Sequence, residues 1–293
     1  MSTARYLHPE ALVDGAWLQA HLDDPNLRIF DCTFYLAYEE GTGRPYSIVS
    51  GKADYDTGHI PGSVHLDLQR EFSRADSPYA FTLLSPEDTA RAFERFGVGD
   101  DTRVICYSRD SMTRASRFWW MLRWLGFDNA ALLDGGFDKW AADGRPVSTA
   151  PGAYPAGALT LSPRPDLFVG KDEMLAAIGD GAACSVNALE PDLHAGRNAR
   201  YGRPGRIPGS VSAPASALVD AKTKQLVPPA KAAALFAAIG ADPGKRVLNY
   251  CGGGIAATLD AFVQHQLGYG DIAVYDSSMS EWAKDASLPI ETD

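Results

Sequence analysis

Arg246-Val247-Leu248-Asn249-Tyr250-Cys251-Gly252-Gly253-Gly254-Ile255-Ala256-Ala257 passes from an apolar run, through a thiol and three glycines, into a helical pattern. A short apolar run bounded by turn residues and followed by amphipathic spacing reads as a buried strand feeding a helix. The same reading applies upstream to Arg103-Val104-Ile105-Cys106-Tyr107-Ser108-Arg109-Asp110, where Ser108 stands in the place of Cys251. The two stretches predict two halves that share a fold and differ in chemistry.

The repeat extends well past these strands. Gly58-His59-Ile60-Pro61-Gly62-Ser63-Val64 recurs as Gly205-Arg206-Ile207-Pro208-Gly209-Ser210-Val211. Phe93 and Gly97 are answered by Phe236 and Gly240, and Trp140 and Pro146 by Trp282 and Pro289. Matches in one order at nearly constant spacing mean a tandem duplication, since solenoid units are far shorter. In the first half, strands are expected over 27–30, 103–107 and 130–133, with helices over 86–96 and 113–125. Ser85 is the expected N-cap of the earlier helix, with Pro86 at its first position. The second half predicts strands over 183–186, 246–250 and 272–275 and helices over 230–239 and 255–267. Alternation of this kind implies an α/β fold, each half a parallel sheet flanked by helices. Ligands of such sheets sit beyond the carboxyl ends of the strands, where Cys251 falls. Residues 148–165, rich in Pro, Gly, Ala and Ser, read as a linker between an N-terminal domain over 1–147 and a C-terminal domain over 166–293.

The 293 residues suit two domains, with an apolar fraction of 45% and a charged fraction of 22%. The net charge of −10 argues against a nucleic-acid or anionic-membrane surface and leaves a small anionic substrate open. No stretch has the length of a membrane span, and the N-terminus lacks the apolar core of a signal peptide, so a cytoplasmic location is the default expectation. Cys32, Cys106, Cys184 and Cys251 form no Cys-x-x-Cys pair and fit no zinc spacing. The first three lie in or beside apolar runs and are expected as small buried hydrophobes.

Cys251 is different. Only a thiolate is strongly nucleophilic. Gly252, Gly253 and Gly254 can curl their amides inward as an anion-binding nest, continued by Ile255 and Ala256. The helix that starts there turns its positive end toward the same point. Glycine also lets the backbone approach a bound anion closely.

The paired Ile-Pro-Gly-Ser motifs, the strand–Cys–loop–helix and the closing Asp276…Trp282 spacing resemble the tandem-domain rhodanese sulfurtransferases over nearly the whole chain. The resemblance implies two tandem rhodanese-like domains, the first inactive with Ser108 at the cysteine position and the second catalytic. It implies that Cys251 takes a sulfane sulfur from thiosulfate or 3-mercaptopyruvate, holds it as a persulfide and passes it to a thiol or cyanide. No metal or organic cofactor is implied. The partners expected are a small anionic donor, a small or protein-borne thiol acceptor, and neither nucleic acid nor membrane. The alternative is a relay or binding protein that charges with sulfur and discharges only to its partner.

Phosphatases of related fold use a longer Cys-x5-Arg loop, and Ala257 stands where that arginine is needed. Gly252 and Gly254 match the mercaptopyruvate-type loop, but Gly253 lacks its hydroxyl and Ala256 replaces its threonine. The family places substrate-binding arginines ahead of the second Ile-Pro-Gly-Ser. Arg197, Arg200 and Arg206 are therefore the expected donor ligands, with Arg203 beside them; arginine suits carboxylate or sulfonate groups through forked hydrogen bonds. Asn187-Ala188-Leu189 replaces the family's Asp-x-Arg, so the loop is expected to be held differently. His59 and His65 are read as structural, Trp119, Trp120 and Trp124 as packing residues, and Ser277, Ser278 and Met279 as pocket lining.

Overall fold

The computed structural model of the chain describes residues 5–38 and 45–293; residues 1–4, part of the N-terminal stretch read above for a leader, lie outside the described residues. Seven strands come from the first part of the chain: β1 (Leu12–Val13), β2 (Leu27–Asp31), β3 (Phe34–Ala37), β4 (Ser47–Ser50), β5 (Val64–His65), β6 (Arg103–Tyr107) and β7 (Ala130–Leu133). Five follow: β8 (Phe168–Val169), β9 (Ala183–Asn187), β10 (Val211–Ser212), β11 (Arg246–Tyr250) and β12 (Ile272–Tyr275). The helices are α1 (Gly15–Ala20), α2 (Lys52–Thr57), α3 (Leu68–Glu71), α4 (Pro86–Arg95), α5 (Thr113–Trp124) and α6 (Gly136–Ala142), then α7 (Lys171–Ala176), α8 (Pro191–His194), α9 (Pro229–Ala238), α10 (Ala256–Gln266) and α11 (Ser278–Trp282). Among the described residues no helix is long and apolar enough to cross a membrane.

Two five-stranded parallel sheets result, in the orders β1-β7-β6-β2-β5 and β8-β12-β11-β9-β10. Position by position the orders are the same, as the duplication requires. The central strands β6 and β11 and the strands β7 and β12 fall where the sequence places them. β2 and β9 each run one residue further, because Asp31 pairs with Tyr107 and Asn187 with Tyr250. The Ser85 side chain caps α4 by accepting from the Asp88 amide at 3.1 Å. A short antiparallel pair, β3 with β4, lies outside the repeat.

The repeated motifs have a shared structural cause. Each central strand ends in a buried tyrosine, and each Ile-Pro-Gly-Ser supplies that tyrosine's hydrogen-bond partners. The Tyr107 hydroxyl lies 2.9 Å from Ser63 Oγ, and Tyr250 lies 2.7 Å from Ser210 Oγ. The Ile60 and Ile207 amides donate to the same phenol oxygens. Gly62 and Gly209 sit at φ +79° and +72°, the left-handed turn that glycine allows without a Cβ penalty. The Trp–Pro pairs close each half in the same way. Trp140 Nε1 donates to the Pro146 carbonyl and Trp282 Nε1 to that of Pro289, both at 2.7 Å. An aromatic side chain of this kind buries about 150–250 Å², roughly 4–6 kcal/mol at ~25 cal/mol per Å².

The halves meet through α5 and α10. Trp119 packs edge-on against Phe262 with centroids 4.7 Å apart, and the Ser116 and Thr258 hydroxyls meet at 2.8 Å. Trp120 Nε1 donates to the Leu167 carbonyl and Trp124 packs edge-on against Phe168. The three tryptophans are thus packing residues. Residues 149–164 run without helix or strand across the first half, after Ser148 bridges to His59 and before a short 3-10 turn at Pro165. The Tyr154 hydroxyl accepts from the Ile29 amide and donates to the Gly62 carbonyl, and the Gly157 amide donates to Glu94. His59 is buried between the Tyr55 and Ala150 carbonyls and stacks on Tyr55 at 3.8 Å, while His65 Nε2 lies 3.0 Å from the Thr33 carbonyl. Both histidines are tied to backbone.

One charged contact crosses the apolar seam. Arg117 of α5 is fully buried and donates to Asp276 Oδ1 at 2.5 Å, to the Gly254 carbonyl at 3.0 Å and to the Phe81 carbonyl at 2.9 Å. Its guanidinium lies 4.8 Å over the Phe168 ring. Removing one member of a buried pair strands the other charge. Arg117→Ala is accordingly expected to lower the unfolding free energy by about 3–5 kcal/mol, read by urea denaturation. A loss within about 1 kcal/mol, the worth of an exposed pair, would mean that water screens the site.

Candidate active site

Cys251 follows β11 directly, at the carboxyl end of the second sheet, and only 2% of it is exposed. Its amide donates to Ser278 Oγ at 3.0 Å, and that hydroxyl donates onward to the Tyr275 carbonyl at 2.7 Å. The Cys251 carbonyl accepts from the Met279 amide and the Gly252 carbonyl from the Ser280 amide. The start of α11 therefore occupies the loop's carbonyls. The amides of residues 252–257 have no acceptor among the described residues. Free amides of the loop and of the first turn of α10 make this end of the sheet a ready anion site.

Each glycine of the loop answers a packed neighbour. A side chain at Gly252 would collide with the Tyr201 phenol, and one at Gly253 would place its Cβ 2.9 Å from the Tyr46 hydroxyl. Gly254, at φ +70°, faces the Asp276 carbonyl and Arg117 Nη1. The triple glycine therefore admits two phenols and one arginine to the loop.

A cavity of about 360 Å³ opens between the halves and meets the loop at Ala256; Cys251 and residues 252–255 are not in its lining. Ala188, Leu189, Leu193, Val219, Ala256 and Leu259 form its apolar wall. Arg114 and Arg200 line it from opposite halves of the chain, and neither has a carboxylate partner among the described residues. Arg114 Nε donates to the Phe34 carbonyl at 3.3 Å and Nη1 to Thr113 Oγ1 at 2.7 Å. Burial pulls its guanidinium below the ordinary arginine range, while Tyr38, Asp110, Tyr35 and Cys251 act the other way. Arg200 lies 3.8 Å over the Tyr38 ring. Lys224 and Asp110 form a looser pair across the rim at 3.8 Å.

Of the arginines expected to hold substrate, Arg200 alone lines this cavity. Arg206 does not line it: its guanidinium is tied to Glu291 at 2.5 Å and Asp293 at 2.6 Å and donates to the His194 carbonyl. Those contacts spend its charge on the end of the chain. Arg197 is exposed and paired with Asp192 at 2.8 Å, away from the cavity lining. Arg203 donates to the Trp282, Ala283, Asp285 and Leu288 carbonyls. Ser278 and Met279 hold the Cys251 backbone and do not line the cavity. Asn187 makes up for the absent Asp-x-Arg: its Oδ1 accepts from the Leu189 amide at 3.0 Å, the turn that Asp31 makes with the Thr33 amide in the first half.

Sequence reading overlooked Arg114, Arg117, Tyr46 and Tyr201. A signal was available for one of them. An arginine set in Ser116-Arg117-Phe118-Trp119-Trp120, inside an apolar helix, requires a buried partner.

The first half shows the same loop filled by protein. Ser108 Oγ donates to the Ser111 carbonyl at 2.7 Å, and the Arg109, Asp110 and Ser111 amides donate to Thr33 Oγ1, Asp138 Oδ2 and the Arg109 carbonyl. The Arg109 guanidinium lies 3.7 Å over Phe137 and donates to the Asp54 and Gly58 carbonyls. Three consecutive amides of that turn are thus taken up by protein acceptors. Among the described residues no three His, Cys, Asp or Glu side chains gather as a metal site.

Residues 14–143 and 193–285 match the Rhodanese-like domain family. The chain is 29% identical over 300 residues to the sulfur carrier protein TtuD of Thermus thermophilus, covering 97% of this chain and 98% of that one. It is 29% identical over 283 residues to the 3-mercaptopyruvate sulfurtransferase of Escherichia coli, covering 95% and 97%. The crystal structure of the Escherichia coli protein SseA, described as a 3-mercaptopyruvate sulfotransferase, superposes with a TM-score of 0.78 at 27% identity over 92% of this chain and 98% of that one.

Arg114 and Arg200, without a carboxylate partner among the described residues, imply a charge preference at Cys251. Iodoacetate should alkylate it faster than neutral iodoacetamide does, relative to a free thiol. Arg114→Gln is expected to reduce that preference about tenfold, the equivalent of ~1.4 kcal/mol from one charge-assisted hydrogen bond. Arg206→Ala should leave the ratio unchanged and lower the melting temperature. Equal effects of the two variants would return Arg206 to the site.

Proposed function

Because the chain belongs to the rhodanese-like domain family, we propose that it is a sulfurtransferase that carries sulfane sulfur on Cys251. The observation that carries this reading is one thiol at the head of a loop whose amides have no acceptor among the described residues, next to a cavity lined by Arg114 and Arg200. Full-length similarity to relatives named for sulfur transfer supports it. Residues 1–147 act as an inactive domain that supplies one wall, 148–165 as the linker and 166–293 as the catalytic domain.

Thiosulfate or 3-mercaptopyruvate is the donor. Arg114 and Arg200 hold its sulfonate-like or carboxylate group, and the Cys251 thiolate attacks the donor sulfur. A sulfur–sulfur bond forms as the donor's own bond to that sulfur breaks. The departing electron pair leaves on sulfite, or on the methylene carbon of 3-mercaptopyruvate as the pyruvate enolate. The amides of Gly252, Gly253, Gly254, Ile255 and Ala256 stabilise the anionic sulfur. A thiolate acceptor then attacks the outer sulfur and leaves with it as a persulfide, while cyanide leaves as thiocyanate. Either step returns the Cys251 thiolate, a two-step covalent cycle.

The name of the Thermus relative supports a second possibility for the acceptor, a protein thiol in place of a small one. Turnover with a small thiol such as dithiothreitol separates an enzyme from a dedicated relay.

Intact-protein mass after brief exposure to each donor provides the test. Wild type should gain one sulfur atom and lose it on adding cyanide or thiol, and Cys251→Ser should gain none. A gain retained by Cys251→Ser would move the sulfur elsewhere and end the proposal.

A further inference from the structure

The loop has no side-chain hydroxyl of its own. Gly252, Gly253, Gly254, Ile255 and Ala256 carry none, and the hydroxyls next along the chain are engaged. Thr258 Oγ1 donates to the Ile255 carbonyl at 2.7 Å and meets Ser116 Oγ at 2.8 Å. Ser278 Oγ lies between the Cys251 amide and the Tyr275 carbonyl. Yet cleavage of a carbon–sulfur bond next to a carbonyl drives charge onto that carbonyl oxygen. In a site shielded from water, a placed donor is the main way to stabilise such charge.

Tyr46 brings a hydroxyl to the loop from the other half of the chain. Its Oη lies 2.9 Å from where a Gly253 Cβ would stand, and Ser280 Oγ lies 3.8 Å from the same point. Tyr46 immediately precedes β4 and is only 8% exposed. The ring stacks on Phe81 with centroids 6.2 Å apart and meets Tyr201 edge-on at 6.5 Å. Tyr38 also meets it edge-on at 6.4 Å, so three sides of the ring are fixed, and its polar end faces the Cys251 loop. Burial pushes the phenol up to about 12, against a hydrogen bond with Ser280 and with a further rise from the nearness of Cys251. It keeps its proton at neutral pH and so has an O–H to donate. A side chain at 253 and the Tyr46 hydroxyl compete for one space, so a chain can place a hydroxyl there in either way but not both.

We propose that Tyr46, across the domain seam, is a catalytic hydrogen-bond donor to the departing group, in the place a hydroxyl on residue 253 would take. This rests on the sulfurtransferase reading of Cys251. With 3-mercaptopyruvate, the Cys251 thiolate bonds to the donor sulfur, which keeps its own proton, and the carbon–sulfur bond breaks. The electron pair passes to the methylene carbon and is shared with the carbonyl oxygen as an enolate. The Tyr46 hydroxyl donates to that oxygen without giving up its proton, and the carbon then takes a proton from water to give pyruvate. With thiosulfate, the sulfonate oxygens are charged before the step as well as after it. Only interactions that strengthen in the transition state raise the rate, so Tyr46 matters less there.

Single-turnover sulfur uptake by Cys251 from each donor tests this, with wild type, Tyr46→Phe, Gly253→Ser and the double variant compared after thermal melts establish folding. Tyr46→Phe should slow uptake from 3-mercaptopyruvate about 100-fold, as loss of one oxyanion donor does, and uptake from thiosulfate less than about fivefold. Adding Gly253→Ser to Tyr46→Phe, where the space is now open, should restore the first rate to within about tenfold of wild type. Equal slowing with both donors and no rescue would make Tyr46 a packing residue, and an unchanged rate with 3-mercaptopyruvate would remove it from the reaction. Either result leaves the sulfurtransferase reading standing. Wild type that accepts only thiosulfate overturns the role of Tyr46 alone, and wild type that takes sulfur from neither donor overturns both.

Discussion

A guanidinium without water must be neutralised where it lies, and much of the site follows from that demand at Arg117. The residue comes from the first half, yet its partners, Asp276 and the Gly254 carbonyl, belong to the second. Asp276 directly follows β12 and also accepts from the Leu83 amide of the first half at 3.0 Å. The pair therefore joins three segments that are far apart in sequence and presses the Asp276 backbone against residue 254. That contact is why residue 254 has no Cβ and why its φ is positive. With one end of the loop held there and the other by Ser278 on the Cys251 amide, the intervening amides keep one arrangement with no ligand to order them. Preorganisation of this kind lowers the cost of stabilising an anion.

Duplication accounts for the framework, and divergence at the loops accounts for the activity. Both sheets have the same strand order, the same buried tyrosine at the end of the central strand and the same serine against it. At the following turn they part. In the first half, side chains and backbone take up the amides of residues 109–111; in the second, glycines stand in their place and the amides of residues 252–254 have no acceptor among the described residues. The first half contributes to the surroundings of the second half's loop, through Arg114 on the cavity wall, Arg117 on the Gly254 carbonyl and Tyr46 beside Gly253. A two-domain site of this sort gains a cleft that neither sheet has alone, a common place for small-molecule sites.

Most of the framework was legible in the sequence because it depends on local pattern. Strand 103–107 and strand 246–250 announce themselves by apolar runs with turns after them, and Ser85-Pro86 announces a helix start. Cys251 was legible for the same reason, since strand, thiol, glycines and helix are consecutive. The arginines were harder. Arg197, Arg200, Arg203 and Arg206 look alike in sequence, and spacing alone cannot separate one facing the cavity from one bound to Glu291 and Asp293. The end of the chain folds back onto Arg206, with its backbone paired to Glu291, and no local signal marks that return.

What the sequence determined by itself is therefore the periodic and the contiguous: two α/β halves, their strand-to-helix turns, and the one turn that carries a thiol. These depend on propensity, hydrophobic period and turn chemistry, which act over a few residues. What only the tertiary structure decided is which charges are spent and which remain, and which hydroxyl reaches the loop. Arg114, Arg117 and Tyr46 are remote from Cys251 in the chain and come near its loop only because α5 packs on α10 and Phe81 braces the Tyr46 ring. Burial raises the stakes of each such contact, since a charge or hydroxyl removed from water must be matched by whatever partner the fold brings to it.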